Sequence, residues 1–149
     1  KRELEADIWA KYGISVWTQD SAEKAIIRDD LVAHGKKRRN ESNGRHWVDQ
    51  IDASVRAGLA AGVHQIIKDC RFATNNTDEA AWVHSLGGKV IHLTRLLADG
   101  QTIQPAANLE ESRNDPLVFE AADIRLTWPT LPLDKLRPYV QDVWTQLNT

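Results

Sequence analysis

The stretch "IIKDCRFATNNTDEAAWVHSLGGKVIHLTR", residues 66–95, decides how the chain is read. A β-branched run stops at Asp69 and passes to Cys70, Arg71 and Phe72. A polar turn follows, then one helix over "TDEAAWVHSLGG" capped by Thr77 or Asp78, and a second β-branched run that ends at Arg95. Strand, helix and strand in that order imply a right-handed crossover and parallel pairing. In open parallel sheets, ligands bind outside the carboxyl ends of the strands, so Asp69, Arg71 and Arg95 fall where a ligand would sit.

Downstream, residues 96–115 are polar and aperiodic and read as a long surface excursion, with a short helix around "NLEES". "ADIRLTW" (122–128) is a further strand. Leu133, Leu136, Val140, Val143 and Trp144 stripe a final helix. Upstream, "HQIIKD" is the first strand. Trp47, Val48, Ile51 and Val55 stripe a helix that ends near "GLAAG" (58–62). "GKKRRNESNG" (35–44) reads as a basic connection. Before it, Asp20 or Ser21 caps a helix whose stripe is Ile26, Ile27, Leu31 and Val32, running out near His34-Gly35. Residues 2–12 form a helix stopped by Gly13. The expectation is one α/β domain over residues 1–149: a helical part (1–62), a parallel sheet core flanked by helices (63–95 and 116–149) and a lid (96–115).

A hydrophobic fraction of 42% and a charged fraction of 27% are those of a globular chain, and a net charge of −2 advertises neither DNA nor membrane. The single cysteine excludes an internal disulfide framework and a cysteine zinc cluster, which fits a reducing cytoplasm. No apolar run approaches a membrane span.

Lys36, Lys37, Arg38, Arg39 and Arg45 crowd one connection, where mutual repulsion favours a counter-anion, nucleotide phosphate or nucleic acid; the ordinary alternative is a solvated charge run. Aromatic interleaving there is thin, which argues against a nucleic-acid groove. Arg28 matters only if its helix faces the strand ends. Arg95, Glu110, Glu111 and Arg113 bracket the excursion, as a mobile lid or as a hydrophilic loop with local ion pairs. The five histidines show no metal-ligand spacing, and His92, between Ile91 and Leu93, reads as a satisfied, partly buried side chain. Trp47, Trp82 and Trp144 fall on helical stripes and read as core; Trp17 and Trp128 lie near loops, where they could stack on a base. Cations from three segments at the ends of a parallel sheet describe a site for a phosphorylated ligand.

The quoted stretch resembles the strand-helix-strand segment of bacteriophage-type deoxynucleoside monophosphate kinases, in which a D-x-R-(F/Y) element ends a strand and Gly-Gly leads into a "VIHL.R"-like strand. "IIRDDLVAHGKKRRNESNGRHWVDQI" is similar to the preceding segment of that family, "NLEESRNDPLVFEAADIRLTWPTLPLDKL" to its lid and final strand-helix, and "KRELEADIW" to the helix after its "A-D-P-L-K"-like turn. The resemblance implies a P-loop kinase fold with a three-layer parallel sheet, a helical acceptor-binding segment and a lid. It implies ATP-dependent phosphoryl transfer, with Mg2+, to a deoxynucleoside monophosphate. Arg28, Lys36, Arg38, Arg39, Arg45, Trp47 and Arg71 would then bind the acceptor. Asp69 would sit near the metal and the reacting phosphates, and Arg95 and Arg113 would neutralise the transferred group.

One departure stands out. No G-x-x-x-x-G-K-[ST] loop, whose amides cradle ATP phosphates, occurs in the 149 residues. In the family it lies upstream of the matched region, so an upstream segment of about 30 residues is expected to hold it, and these residues alone are expected to be inactive. Two alternatives stay open: a nucleotide-binding or interaction module without catalysis, and a nucleic-acid partner using residues 35–45. The accepted base and the oligomeric state, a homodimer included, are equally open.

Overall fold

The computed structural model describes residues 1–147, and the backbone clusters into two compact units, Lys1–Trp47 and the residues from Val48 on. Each unit has its own core.

In the first unit a 3-10 turn, Arg2–Leu4, leads into α1, Glu5–Tyr12. Gly13 ends α1 at φ 64°, a left-handed conformation natural to glycine, and its N–H returns to Trp9 O at 2.8 Å. Helix α2, Ser21–Glu41, starts at Asp20, whose Oδ1 accepts from the amides of Ala22 and Glu23 at 2.8 and 2.9 Å. Ile8, Ile14, Val16 and Ile27 form the core, with Leu4, Tyr12 and Leu31 packed against it. Tyr12 Oη donates to Asp30 at 2.8 Å, and Lys11 pairs with the same carboxylate at 3.0 Å.

The expected stop of this helix at His34-Gly35 is overturned. Helix α2 continues through Lys36, Lys37, Arg38 and Arg39 to Glu41, so the basic connection is helical. One interior glycine costs a helix only about 1 kcal/mol. Against it, Arg38 pairs with Glu3 at 2.8 Å and with Glu41 at 3.4 Å. Cations in the last turns also complement the helix dipole.

In the second unit, α3 (His46–Asp49, which begins two residues before the unit boundary) and α4 (Asp52–Ala60) come first. Val48 and Val55 pack on Trp82 of α5, Glu79–Ser85. The Trp82 indole N–H donates to Asp52 Oδ1 at 2.6 Å, which satisfies its polar end inside the core. Ala80, Val90, Val118 and Ala122 form a second cluster. Beyond Gly88, where a side chain would strike Val83 at 2.9 Å, the chain enters β1, Ile91–Leu96. Helix α6, Leu109–Ala121, then strand β2, Ile124–Pro129, a 3-10 turn Leu133–Lys135 and helix α7, Arg137–Leu147, complete the unit.

Strands β1 and β2 are parallel, as the strand-helix-strand order implies, and pair Ile91 with Ile124 through Leu96 with Pro129. They are the whole sheet among the described residues. The expected three-layer parallel sheet of the P-loop kinase type is therefore overturned. "HQIIKD" is not a strand, and residues 63–70 have no regular structure. Its two isoleucines are adjacent, so they cannot share one apolar strand face, and the run is flanked by left-handed residues, Gly62 at φ 72° and Asp69 at φ 67°. The short helix expected around "NLEES" is present but runs longer than read. Asn108 accepts from the Glu111 amide at 2.9 Å and starts α6, which carries Pro116 in its interior. That proline reads as a helix breaker in sequence, but the cap and the first-turn glutamates win. Among the described residues, no helix is long and apolar enough to cross a membrane.

Asp123 locks β1 to β2. Burial alone would raise its carboxyl, but the Val90 amide at 2.8 Å, His84 at 3.0 Å and Lys89 at 3.2 Å outweigh burial and hold it at about 2. The folded value lies below the ordinary one, so this stabilisation is complete above about pH 4 and is lost as pH falls toward 2. Replacing Asp123 by Asn should cost about 1–2 kcal/mol at pH 7, the group being partly screened by solvent. Thermal melts from pH 6 to pH 2 should show a shallower acid limb in the variant; parallel limbs would mean that Asp123 contributes no pH-dependent stability.

Candidate functional site

The parallel register sets the site. Leu93 lies beside Leu126, Thr94 beside Thr127 and Arg95 beside Trp128, so a cation and an indole stand together at the carboxyl ends of the strands. They line a cleft of about 1140 Å3, also bordered by residues 62–71 and by Val140 and Trp144 of α7. This is ample for a small molecule with an aromatic ring. Trp128 meets Tyr139 edge-on at 5.8 Å, and Trp144 meets His64 edge-on at 5.3 Å.

Arg95 is held but not neutralised. Its Nε donates to Thr130 Oγ1 at 3.2 Å, and that hydroxyl donates to Leu96 O at 2.7 Å. Among the described residues no carboxylate pairs with Arg95, which leaves its two terminal nitrogens able to take an anion bidentately. Arg71 differs: it lies 3.1 Å from Glu111 and 3.7 Å from Asp69, so an incoming anion must displace a carboxylate.

His92, by strand alternation, lies on the face of β1 opposite Arg95. It is buried, lies 2.9 Å from Asp115 Oδ1 and meets Phe119 edge-on at 5.2 Å, as the reading of a satisfied histidine expects. The Cys70 thiol is pushed up to about 11 by burial, and then by the nearby Glu79 charge, so it stays protonated and inert at neutral pH.

Of the residues expected in a site, Asp69, Arg71 and Arg95 line this cleft. Arg113 stands exposed on α6. Arg28, Lys36, Arg38, Arg39, Arg45 and Trp47 all belong to the first unit. Within it Arg28 and Lys36 are exposed on α2, Arg38 is spent on Glu3 and Glu41, and Arg39 and Arg45 are half-buried. Trp47 is half-buried and meets the His46 ring in a T-shaped contact at 4.4 Å. Trp144, expected in the core, is 53% exposed at the cleft. Thr130 and the Arg95–Trp128 pairing were missed. Their signal was the likeness of "IHLTRL" to "IRLTWP", which align in the observed register.

The resemblance assigns ATP and Mg2+ as cofactors. Asp69, the carboxylate it places near the metal, lies beside the Arg71 guanidinium, and no group of three or more His, Cys, Asp or Glu among the described residues could hold a metal ion. With no phosphate loop in the sequence, ATP and Mg2+ have no fitting donor set among these residues. Comparison of the chain with family models, with curated proteins and with solved structures finds no match.

If Arg71 faces the ligand, Glu111→Gln should tighten binding of inorganic phosphate several-fold. The stability cost should stay within about 1 kcal/mol, because the pair is partly exposed. Titration calorimetry with phosphate reads this directly, and unchanged affinity would remove Arg71 from the anion site.

Proposed function

We propose that the second unit binds a nucleoside 5′-monophosphate, a deoxynucleotide on the reading that the kinase resemblance supports. The observation that carries this is the pairing of Arg95 with Trp128 at the carboxyl ends of two parallel strands. Arg95 is held by Thr130 and has no carboxylate counter-charge among the described residues. The guanidinium grips the phosphate bidentately, and the indoles of Trp128 or Trp144 cover the base. Lys68 and Arg71, which also line the cleft, add positive charge once Glu111 yields.

Phosphoryl transfer from ATP to that monophosphate is the reaction the resemblance would add. It requires a triphosphate cradle that the sequence does not contain, so for these residues the proposal stops at binding. A reducing cytoplasm, where mononucleotides are found, is the compartment this reading implies, and the lone Cys70 fits it.

The test is calorimetric titration of the chain with the four deoxynucleoside monophosphates and with the matching nucleosides. At least one monophosphate should bind, with the nucleoside weaker by about tenfold or more, the value of one charge-assisted contact. Arg95→Ala should erase that difference. Equal affinity for nucleoside and monophosphate, or no binding of either, would overturn the reading. Binding of duplex DNA that weakens steeply with salt would favour the nucleic-acid alternative instead.

A further inference from the structure

The backbone groups of β1 divide between two edges, because in a parallel ladder the N–H and C=O of alternate residues point to the same side. Val90 O accepts from the amides of Asp123 and Ile124 at 2.9 and 3.2 Å, and Leu96 O accepts from Thr130 at 3.0 Å, so the even-numbered residues address β2. Ile91, Leu93 and Arg95 direct theirs to the other edge. There Arg95 O takes the Gln104 amide at 2.8 Å, and Leu96 bridges to Ile103. Ile91 and Leu93 have no backbone partner on that edge among the described residues.

The cleft runs along this edge. Every residue from Ile91 to Arg95 borders it, whereas a cleft over one face of the strand would meet chiefly every second residue. At about 1140 Å3 it exceeds the roughly 300–1,000 Å3 of a small-molecule site. Leu59, Val63, Leu93, Ile103, Val140 and Trp144 all line it and are exposed, and clustered exposed apolar side chains mark a macromolecular contact. Charge sets the sign of the occupant. Of the acids lining the cleft, Asp69 and Glu111 stand near Arg71, and Asp115 near His92. Lys89 is paired with Asp123, but Arg95 and Lys68 have no carboxylate partner among the described residues.

The exposed N–H and C=O groups of an edge are matched by another extended backbone, and the side chains of that backbone then alternate between faces. A second copy fits poorly, because each β1 would bring its own residues 102–104 to the shared edge. We propose that the cleft takes an extended segment of a partner protein, apolar at every second residue and carrying one acidic side chain that meets Arg95. The segment lies along the edge of β1 and hydrogen-bonds to Ile91 and Leu93. This goes beyond the nucleotide reading and does not rest on it; the two ligands share Arg95 and exclude one another.

The probe is a short acetylated and amidated peptide of alternating threonine and valine with one glutamate, placed at the carboxyl end in one version and at the amino end in another. Calorimetric titration of the full chain, without nucleotide, should show at least one version binding with a Kd below about 1 mM. Exchanging its glutamate for lysine should weaken binding about tenfold or more, and Arg95→Ala should erase that preference. In the complex the Ile91 and Leu93 amides should exchange at least about threefold more slowly than in the free chain. The β2-facing amides of His92 and Thr94 should stay protected throughout and report an intact fold. No binding of either version up to about 1 mM overturns the proposal, as does binding that leaves Ile91 and Leu93 exchange unchanged or ignores the lysine exchange. Slow exchange of those two amides in the free chain also overturns it: a dependence on protein concentration would then identify a second copy on the edge, and its absence a segment of the same chain. With nucleotide absent, each of these failures leaves the mononucleotide reading standing.

Discussion

Asp123 receives the Val90 amide at 2.8 Å while its own amide returns to the Val90 carbonyl at 2.9 Å, and this reciprocal pair sets the register of β1 on β2. Lys89 and His84 pair with the carboxylate, so the lock carries an electrostatic share as well as one backbone–carboxylate and one backbone–backbone hydrogen bond. From that point the ladder counts forward without a bulge to Arg95 and Trp128. A slip of one residue would send Arg95 to the opposite face and replace the cation–indole pair with a different one. The chemistry at the strand ends is thus decided five residues earlier, at a loop aspartate.

Charge compensation sorts the remaining cations. Arg38 on α2 and Arg71 at the cleft have carboxylates close by, and such pairs are chiefly local structure. Arg95 has a hydroxyl instead, which orients the guanidinium without neutralising it. An oriented cation with unspent donors in a cleft is a better anion site than a crowded run of lysines and arginines. The density of positive charge in residues 36–39 drew attention to a segment whose charge is partly answered by Glu3 and Glu41.

Local signals were legible wherever one residue type serves one local purpose. Asp20 as a cap, Gly13 as a stop, the stripe of Ile8 and Ile27, and the parallel sense of β1 and β2 could all be read along the chain. The sense follows from the intervening helix and the handedness of crossovers, which need no knowledge of side-chain contacts. What the residues 64–69 would do was not legible. β-branched residues favour a strand only where an edge and two covering faces are present, and those belong to the tertiary structure. The helical continuation through Gly35 was hidden for a similar reason: it depends on Glu3, more than thirty residues upstream, meeting Arg38 at 2.8 Å.

Sequence by itself therefore determined where most helices begin, that β1 and β2 are parallel, and that Asp69, Arg71 and Arg95 fall near one cleft. Only the tertiary structure decided how many strands pair, which of the cations keeps its charge uncompensated, and that Trp144 lies at a cleft instead of in a core. The physical reason is range. Caps, stops and handedness act over a few residues, whereas strand pairing, charge neutralisation and burial are set by partners distant in the chain.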